Sequence, residues 1–252
     1  MSGHSKWKTI QHKKGAADAK RGKAFSKIGK ELTVVAKRGG SNPETNPSLR
    51  TAILKAKSVN MPADNIDRAI KKGAGELGGV TYDEVTYEGY AGGGIGVLVF
   101  VLTDNKNRAA AEIRHIFNRH NRDFAAVGSV SRGFNRKGQI LVDVAGVDED
   151  KLMEIVLDAG ADDMTREEDQ FEIITDPQTL TAVCDALEKA GIKATSAEVS
   201  MLPLSMVPVN DKAVAADVLR FVGDLEDNDD VQNVYTNMEM SEAVMEEMEK
   251  SA

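Results

Sequence analysis

Cysteine is almost missing from this chain. Cys184 is the single one, so no intramolecular disulfide can form. With four scattered histidines it also offers little from which to build a structural zinc site. A chain without disulfides suits a reducing cytosol. Aromatic residues are scarce at 5%, with one tryptophan, Trp7. No run approaches the roughly 20 apolar residues that a membrane helix needs, so no membrane segment is expected. No apolar stretch follows the cations at the N-terminus, so a secretory signal is not expected either. These features together place the protein in the cytoplasm.

Catalytic patterns are missing too. Neither the phosphate-loop pattern G-x-x-x-x-G-K-[ST] nor the nucleophile-elbow pattern G-x-S-x-G occurs. "GGGIGVL" at 92–98 lacks the third glycine of a dinucleotide fingerprint and precedes a strand instead of following one. His115 and His120 stand five apart with no acid between them, so they do not make the i, i+4 ligand pair. "GDLEDNDD" at 223–230 clusters Asp224, Glu226, Asp227, Asp229 and Asp230, the carboxylates a magnesium site for phosphoryl chemistry uses. It lacks the EF-hand spacing and reads as a solvated helix-to-strand turn. Cys184 falls among Leu180, Val183 and Leu187 and reads as a small buried hydrophobe. No enzymatic activity, cofactor, metal or small-molecule substrate is expected.

Charge is plentiful and uneven. Residues 1–75 carry a net +12, residues 76–140 a net +1, and residues 141–252 a net −21, within a total of −8. Such asymmetry points to separate surfaces for separate partners. The positive charge is densest in "GHSKWKTIQHKKGAADAKRGK" at 3–23, which holds Lys6, Lys8, Lys13, Lys14, Lys20, Arg21 and Lys23. Clustered Lys and Arg bind phosphates by releasing condensed counterions. Trp7, between Lys6 and Lys8, could stack on an unpaired base or pack within a helical bundle.

The apolar pattern predicts three helices in the first 78 residues. Phe25, Ile28, Leu32 and Val35 share one face, and Lys20, Lys23, Lys27 and Lys30 form a basic stripe on the far side. Asn46-Pro47 reads as N-cap and first-turn proline, with Leu49, Ile53 and Ala56 inward. A third helix has Asp64 early, Ile66 and Ile70 inward, and Lys71 and Lys72 in its last turn. Strands are predicted at 80–90 and 95–103, joined at Gly92-Gly93-Gly94, with a helix after them. Residues 138–200 predict the order β-α-β-β-α-β, the split βαβ of ferredoxin-like folds. Its first helix is capped by Asp148 and its second by Asp176-Pro177. A short strand, a helix to about 225 and a strand at 231–237 follow, then an acidic terminal segment that is either a helix or a frayed end. The fold class expected is therefore α+β in three domains. Residues 1–78 form a basic helical bundle, 79–135 and 203–252 a discontinuous α+β domain, and 136–202 an inserted ferredoxin-like domain.

With the opening basic stretch, "NPSLRTAILKAKSVNMPADNIDRAIKKG", "YEGYAGGGIGVLV" and "LEDNDDVQNVYTN" make the chain resemble the YebC family along its whole length. This is a set of bacterial proteins described as probable transcriptional regulators, with a mitochondrial relative that activates translation of cytochrome oxidase. The resemblance implies a helical domain and two α/β domains, one inserted in the other, with no catalytic activity and no cofactor. It implies DNA binding in transcription regulation. The alternative is a ribosome-associated translation factor, acting in elongation through proline-rich stretches, whose partners are ribosomal RNA, the ribosome or transfer RNA. The family's first basic motif maps onto Lys6, Trp7, Lys13, Lys14, Lys20, Arg21 and Lys23, and its second onto Arg68, Lys71 and Lys72. One stretch departs from the pattern. In "NRHNRDFAAVGSVSRGF" at 118–134, Arg122, Phe124 and Arg132 stand where the family shows a Gly-Asn-rich turn and an aromatic residue, adding charge beside Arg119, Arg136 and Lys137.

Overall fold

The computed structural model describes residues 18–78, 81–167 and 169–249, with side chains for 22–248 of these. It is a mixed helix-and-sheet protein in which a helical region comes first and sheets follow. Contacts divide it into two units. The first gathers the described residues of 1–27, 80–135 and 202–252, and the second those of 28–79 and 136–201.

The helical region is α1 (Asp18–Gly39), α2 (Pro47–Ser58) and α3 (Ala63–Gly73). Ile28 and Leu32 are buried as the periodicity predicts, whereas Phe25 and Val35 are only half-buried. Thr33, Val34 and Ala36 are buried as well, so the covered arc of α1 is wider than one stripe. The cause is α3. The Thr33 hydroxyl donates to the Ala69 carbonyl (3.2 Å) as well as to Gly29 within its own helix (2.8 Å). Gly73 sits so close that a Cβ there would lie 2.4 Å from the Thr33 carbonyl oxygen and 2.8 Å from Ala36 Cβ. Buried Asn46 joins α1 to α2. Its carbonyl oxygen caps Leu49 N–H at 3.1 Å, and its amide donates to the carbonyls of Val35 (2.9 Å) and Gly40 (2.8 Å). Leu49, Ala52 and Ala56 form the buried face of α2, with Ile53 half-buried beside them.

The rest of the second unit is β3 (Phe134–Asp143), α5 (Glu149–Asp158), β4 (Ala161–Glu167), β5 (Gln170–Thr175), α6 (Leu180–Lys189) and β6 (Ala194–Pro203); α4 (Lys106–Arg119), which precedes them in the chain, belongs to the first unit. The sheet order is β4-β5-β3-β6, the split βαβ arrangement. Ile140, Val142, Phe171 and Ile173 meet Leu152 and Val156 of α5 and Leu180, Val183 and Leu187 of α6 in one core, against which Cys184 packs. Asp148 caps α5 by accepting from Lys151 N–H. Asp176 does not cap α6. Its carboxylate turns back to Gln178 N–H, its carbonyl accepts from Thr179 and Leu180, and the helix starts at Leu180.

In the first unit, β1 (Asp83–Tyr90) and β2 (Gly96–Thr103) pair antiparallel around a short turn at Gly92–Gly94. β8 (Val231–Thr236) adds antiparallel to the other side of β2. Val97, Val99 and Val101 face Ile113 and Phe117 of α4 and Val218, Phe221 and Val222 of α7 (Lys212–Glu226). One pairing escapes sequence reading, and one alternative it left open is decided. β7 (Val207–Val209) and β9 (Met238–Met240) form a parallel pair. The acidic terminal segment is the helix α8 (Glu242–Glu249), which buries Val244 and Met245 in this core.

Candidate nucleic-acid interface

The structure sorts the predicted phosphate-binding cations by what they touch. Lys6, Trp7, Lys8, Lys13 and Lys14 lie outside the described residues. Lys20 and Arg21 fall in the first turn of α1, where the backbone alone is described. Lys23 and Lys27 come next on the stripe, and both are engaged within the first unit. Lys23 Nζ donates to the Asp227 carbonyl (3.0 Å) and lies 3.4 Å from its carboxylate. Lys27 Nζ donates to the Glu226 carbonyl at 2.5 Å. These acceptors lie at the C-terminal end of α7, where helix carbonyls lack partners and the helix dipole is negative. Two of the three stripe lysines whose side chains are described therefore cap a helix.

Lys30, Arg68, Lys71 and Lys72 belong to the second unit. On α3, Ile66, Ala69 and Gly73 are buried, while Arg68 and Lys71 are exposed on the opposite face. Neither makes an ion pair among the described residues. Lys30 and Lys72 are half-buried. Two cations on α2 serve the packing of this unit. Lys55 Nζ lies 3.2 Å from Glu31 and 3.4 Å from Glu198, and Arg50 lies 3.6 Å from Asp185. This leaves Arg68 and Lys71 as the described candidates most open to a phosphate.

The acidic stretch at 223–230 is the helix-to-strand turn its composition predicts, with Asp227 and Asp229 exposed, but two of its carboxylates are engaged by neighbours. Asp224 lies 2.5 Å from Arg119 and 2.6 Å from His120 Nε2. The His120 hydrogen bond, and after it Arg119, holds the Asp224 carboxyl below its ordinary value despite partial burial. Buried Asp230 accepts from the Thr103 hydroxyl and the Arg108 guanidinium, each at 2.8 Å. The Asp224 and Asp230 carboxylates are thus held by Thr103 of β2, by Arg108 and Arg119 of α4 and by His120 just after it. No three His, Cys, Asp or Glu side chains among the described residues are grouped as a metal ion would require.

The charged edge at 119–137 is likewise partly neutralised. Besides Arg119, Arg122 pairs with Asp217 (2.6 Å) and Lys137 with Asp162 (2.9 Å). Sequence reading misses the group that shapes this edge, Glu88. Its buried carboxylate accepts from the N–H groups of Gly128 (2.8 Å), Val130 (2.7 Å) and Ser131 (3.0 Å) and from the Ser131 hydroxyl (2.9 Å). Burial alone would raise its pKa, but these four donors outweigh burial and lower it. The donors lie 40 to 43 residues away in sequence, so no local pattern signals them.

Comparison with known proteins agrees with this architecture. Residues 5–76 match the TACO1/YebC protein N-terminal domain, and residues 82–238 match the TACO1/YebC second and third domain. A protein of Desulfotalea psychrophila named as a probable transcriptional regulatory protein is 54% identical over 98% of this chain and 99% of its own length. One of the same description from Citrifermentans bemidjiense is 56% identical over 98% of this chain and 100% of its own. The crystal structure of a conserved hypothetical protein from Aquifex aeolicus superposes with a TM-score of 0.80 at 47% identity, covering 89% of this chain and 93% of that one. The chain belongs to the TACO1/YebC family.

Proposed function

We propose that this protein is a non-enzymatic regulator of gene expression that works in the cytoplasm by binding nucleic acid, with DNA as its partner and transcription as the process. The observation that carries the reading is the exposed pair Arg68 and Lys71 on α3, within a region of net charge +12. The names of its relatives point the same way. On this reading residues 1–78 supply the cationic surface, and the domains at 79–135 with 203–252 and at 136–202 limit indiscriminate adhesion through their negative charge. No helix among the described residues is long and apolar enough to cross a membrane.

The test is duplex DNA binding by the full chain as a function of salt. Log affinity should fall against log salt with a slope of about 0.9 per phosphate neutralised. The double variant Arg68→Gln with Lys71→Gln should lower that slope by about 2 and weaken all sequences alike. A flat salt response, or an unchanged slope in the double variant, refutes the assignment. Sequencing the nucleic acid crosslinked to the protein in cells distinguishes promoter DNA from ribosomal RNA, the mark of a translation factor.

A further inference from the structure

The loop at 126–133 gathers every exposed large apolar side chain that the first unit shows among its described residues. Val127 at its tip is 92% exposed, Leu204 61% and Tyr90 45%. All three belong to one surface. The Tyr90 hydroxyl donates to the Ser129 carbonyl (3.1 Å), and Leu204 N–H donates to the Gly133 carbonyl (2.8 Å). The Arg132 side chain crosses the same loop. Gly128, at φ +86°, is so close to it that a Cβ there would lie 3.3 Å from Arg132 Nε. Arg132 is exposed and has no ion pair among the described residues. It is the sole charge in residues 124–134. The loop is also held from beneath, because the Glu88 carboxylate binds the N–H groups of three of its residues.

We propose that this loop is a second nucleic-acid contact, specific for an unpaired nucleotide, whose base stacks on the Tyr90 ring beside Val127 and whose phosphate meets Arg132. The proposal rests on the nucleic-acid reading above and adds a strand preference to it. A ring fixed by its hydroxyl to the loop that carries the Arg132 guanidinium supplies the two elements of single-strand binding, a stacking platform and a phosphate partner. A duplex hides its base faces, so the contact selects unpaired segments. The Glu88 clasp holds the loop in place before binding, which keeps the ordering cost low.

The test compares a short oligouridine with an RNA duplex of equal length, both titrated against the full chain at low salt. Tyr90→Leu should weaken oligouridine binding roughly 5- to 100-fold and leave duplex binding within about 2-fold. Tyr90→Phe keeps the ring and should keep the affinity. Arg132→Gln should weaken the single strand and lower its salt slope by about 1. An unchanged thermal unfolding curve for each variant shows that the loop is still folded. If the wild-type chain binds both nucleic acids and Tyr90→Leu binds oligouridine equally well, this inference fails and the proposed function stands. If Tyr90→Phe loses as much as Tyr90→Leu, the hydroxyl bond rather than stacking is responsible and the inference is overturned. If Tyr90→Leu instead abolishes only the capture of a protein, the patch is a protein interface and the inference is again overturned. If the wild-type chain binds neither nucleic acid, this inference fails, and the DNA titration above decides the proposed function separately.

Discussion

Replacing Glu88 with alanine removes one buried carboxylate and leaves three backbone N–H groups and one hydroxyl without their acceptor. Hydrogen bonds to a charged group contribute about 1.5–3 kcal/mol each, but a surface loop that loses its clasp can open and recover part of that from water. A net loss of about 3–5 kcal/mol is expected, close to that of breaking other buried charged contacts. For a chain of this size it corresponds to a fall of roughly 10 °C in melting temperature. Hydrogen exchange should localise the damage, with the amides of Gly128, Val130 and Ser131 losing protection first. Glu88→Gln keeps the shape and one acceptor oxygen but turns an amide NH2 toward backbone donors, so it should cost less, about 1–3 kcal/mol.

The pH dependence has a definite sign. Glu88 has its pKa lowered below 4.5 in the folded protein, so its contribution is fully present above that value. It is lost as pH falls through the folded pKa. The stability gap between wild type and Glu88→Gln should therefore be constant near neutral pH and shrink in acid below about 4.5. Urea unfolding followed at several pH values measures it. An alanine variant within about 1 kcal/mol of wild type, with unchanged exchange at 128–131, would falsify the clasp.

Other substitutions probe the packing directly. Gly73→Ala, normally mildly favourable in a helix, should destabilise the second unit by about 2–4 kcal/mol in urea unfolding, because the new Cβ overlaps the Thr33 carbonyl. Asn46→Ala should cost about 2–4 kcal/mol by removing a cap and two donated bonds together. Asn46→Asp keeps the cap acceptor but faces two carbonyls without a donor, so it should rescue little of that loss. The Cys184 thiol is pushed up to about 11 by burial and then by Asp185, so thiol-reagent labelling of the native protein near neutral pH should run about 100-fold slower than for an exposed cysteine. Because Lys23 is already bonded at the end of α7, Lys23→Ala should weaken DNA binding less than Lys71→Ala in the same salt titration.

Much of the secondary structure was legible because its signals are local. Asn46-Pro47 caps α2, Asp148 caps α5, and the valine-rich run at 95–103 is β2. Misreadings occur where a distant partner or a competing local turn changes the outcome. The inner face of α1 widened because α3 lies against Thr33 and Ala36. The start of α6 moved to Leu180 because the Asp176 side chain makes a turn of its own. The parallel pairing of β7 with β9 joins two three-residue strands, too short to carry a periodic signal.

The candidate site divides along the same line. The location of the positive charge follows from residue order, because charge belongs to residue type and survives any folding. So do the helices, strands and caps, because these depend on neighbours a few positions away. Which described cations stay open to a partner depends on the folded arrangement. Lys23 meets Asp227 across 204 positions, Arg122 meets Asp217 across 95, and Glu88 meets its loop across about 40. Ion pairs and buried hydrogen bonds form wherever the folded chain brings opposite groups within a few ångströms, and composition holds no record of those distances. Within a region of net charge +12, described cations became a helix cap, a set of packing bridges and an exposed Arg68–Lys71 pair through that step alone.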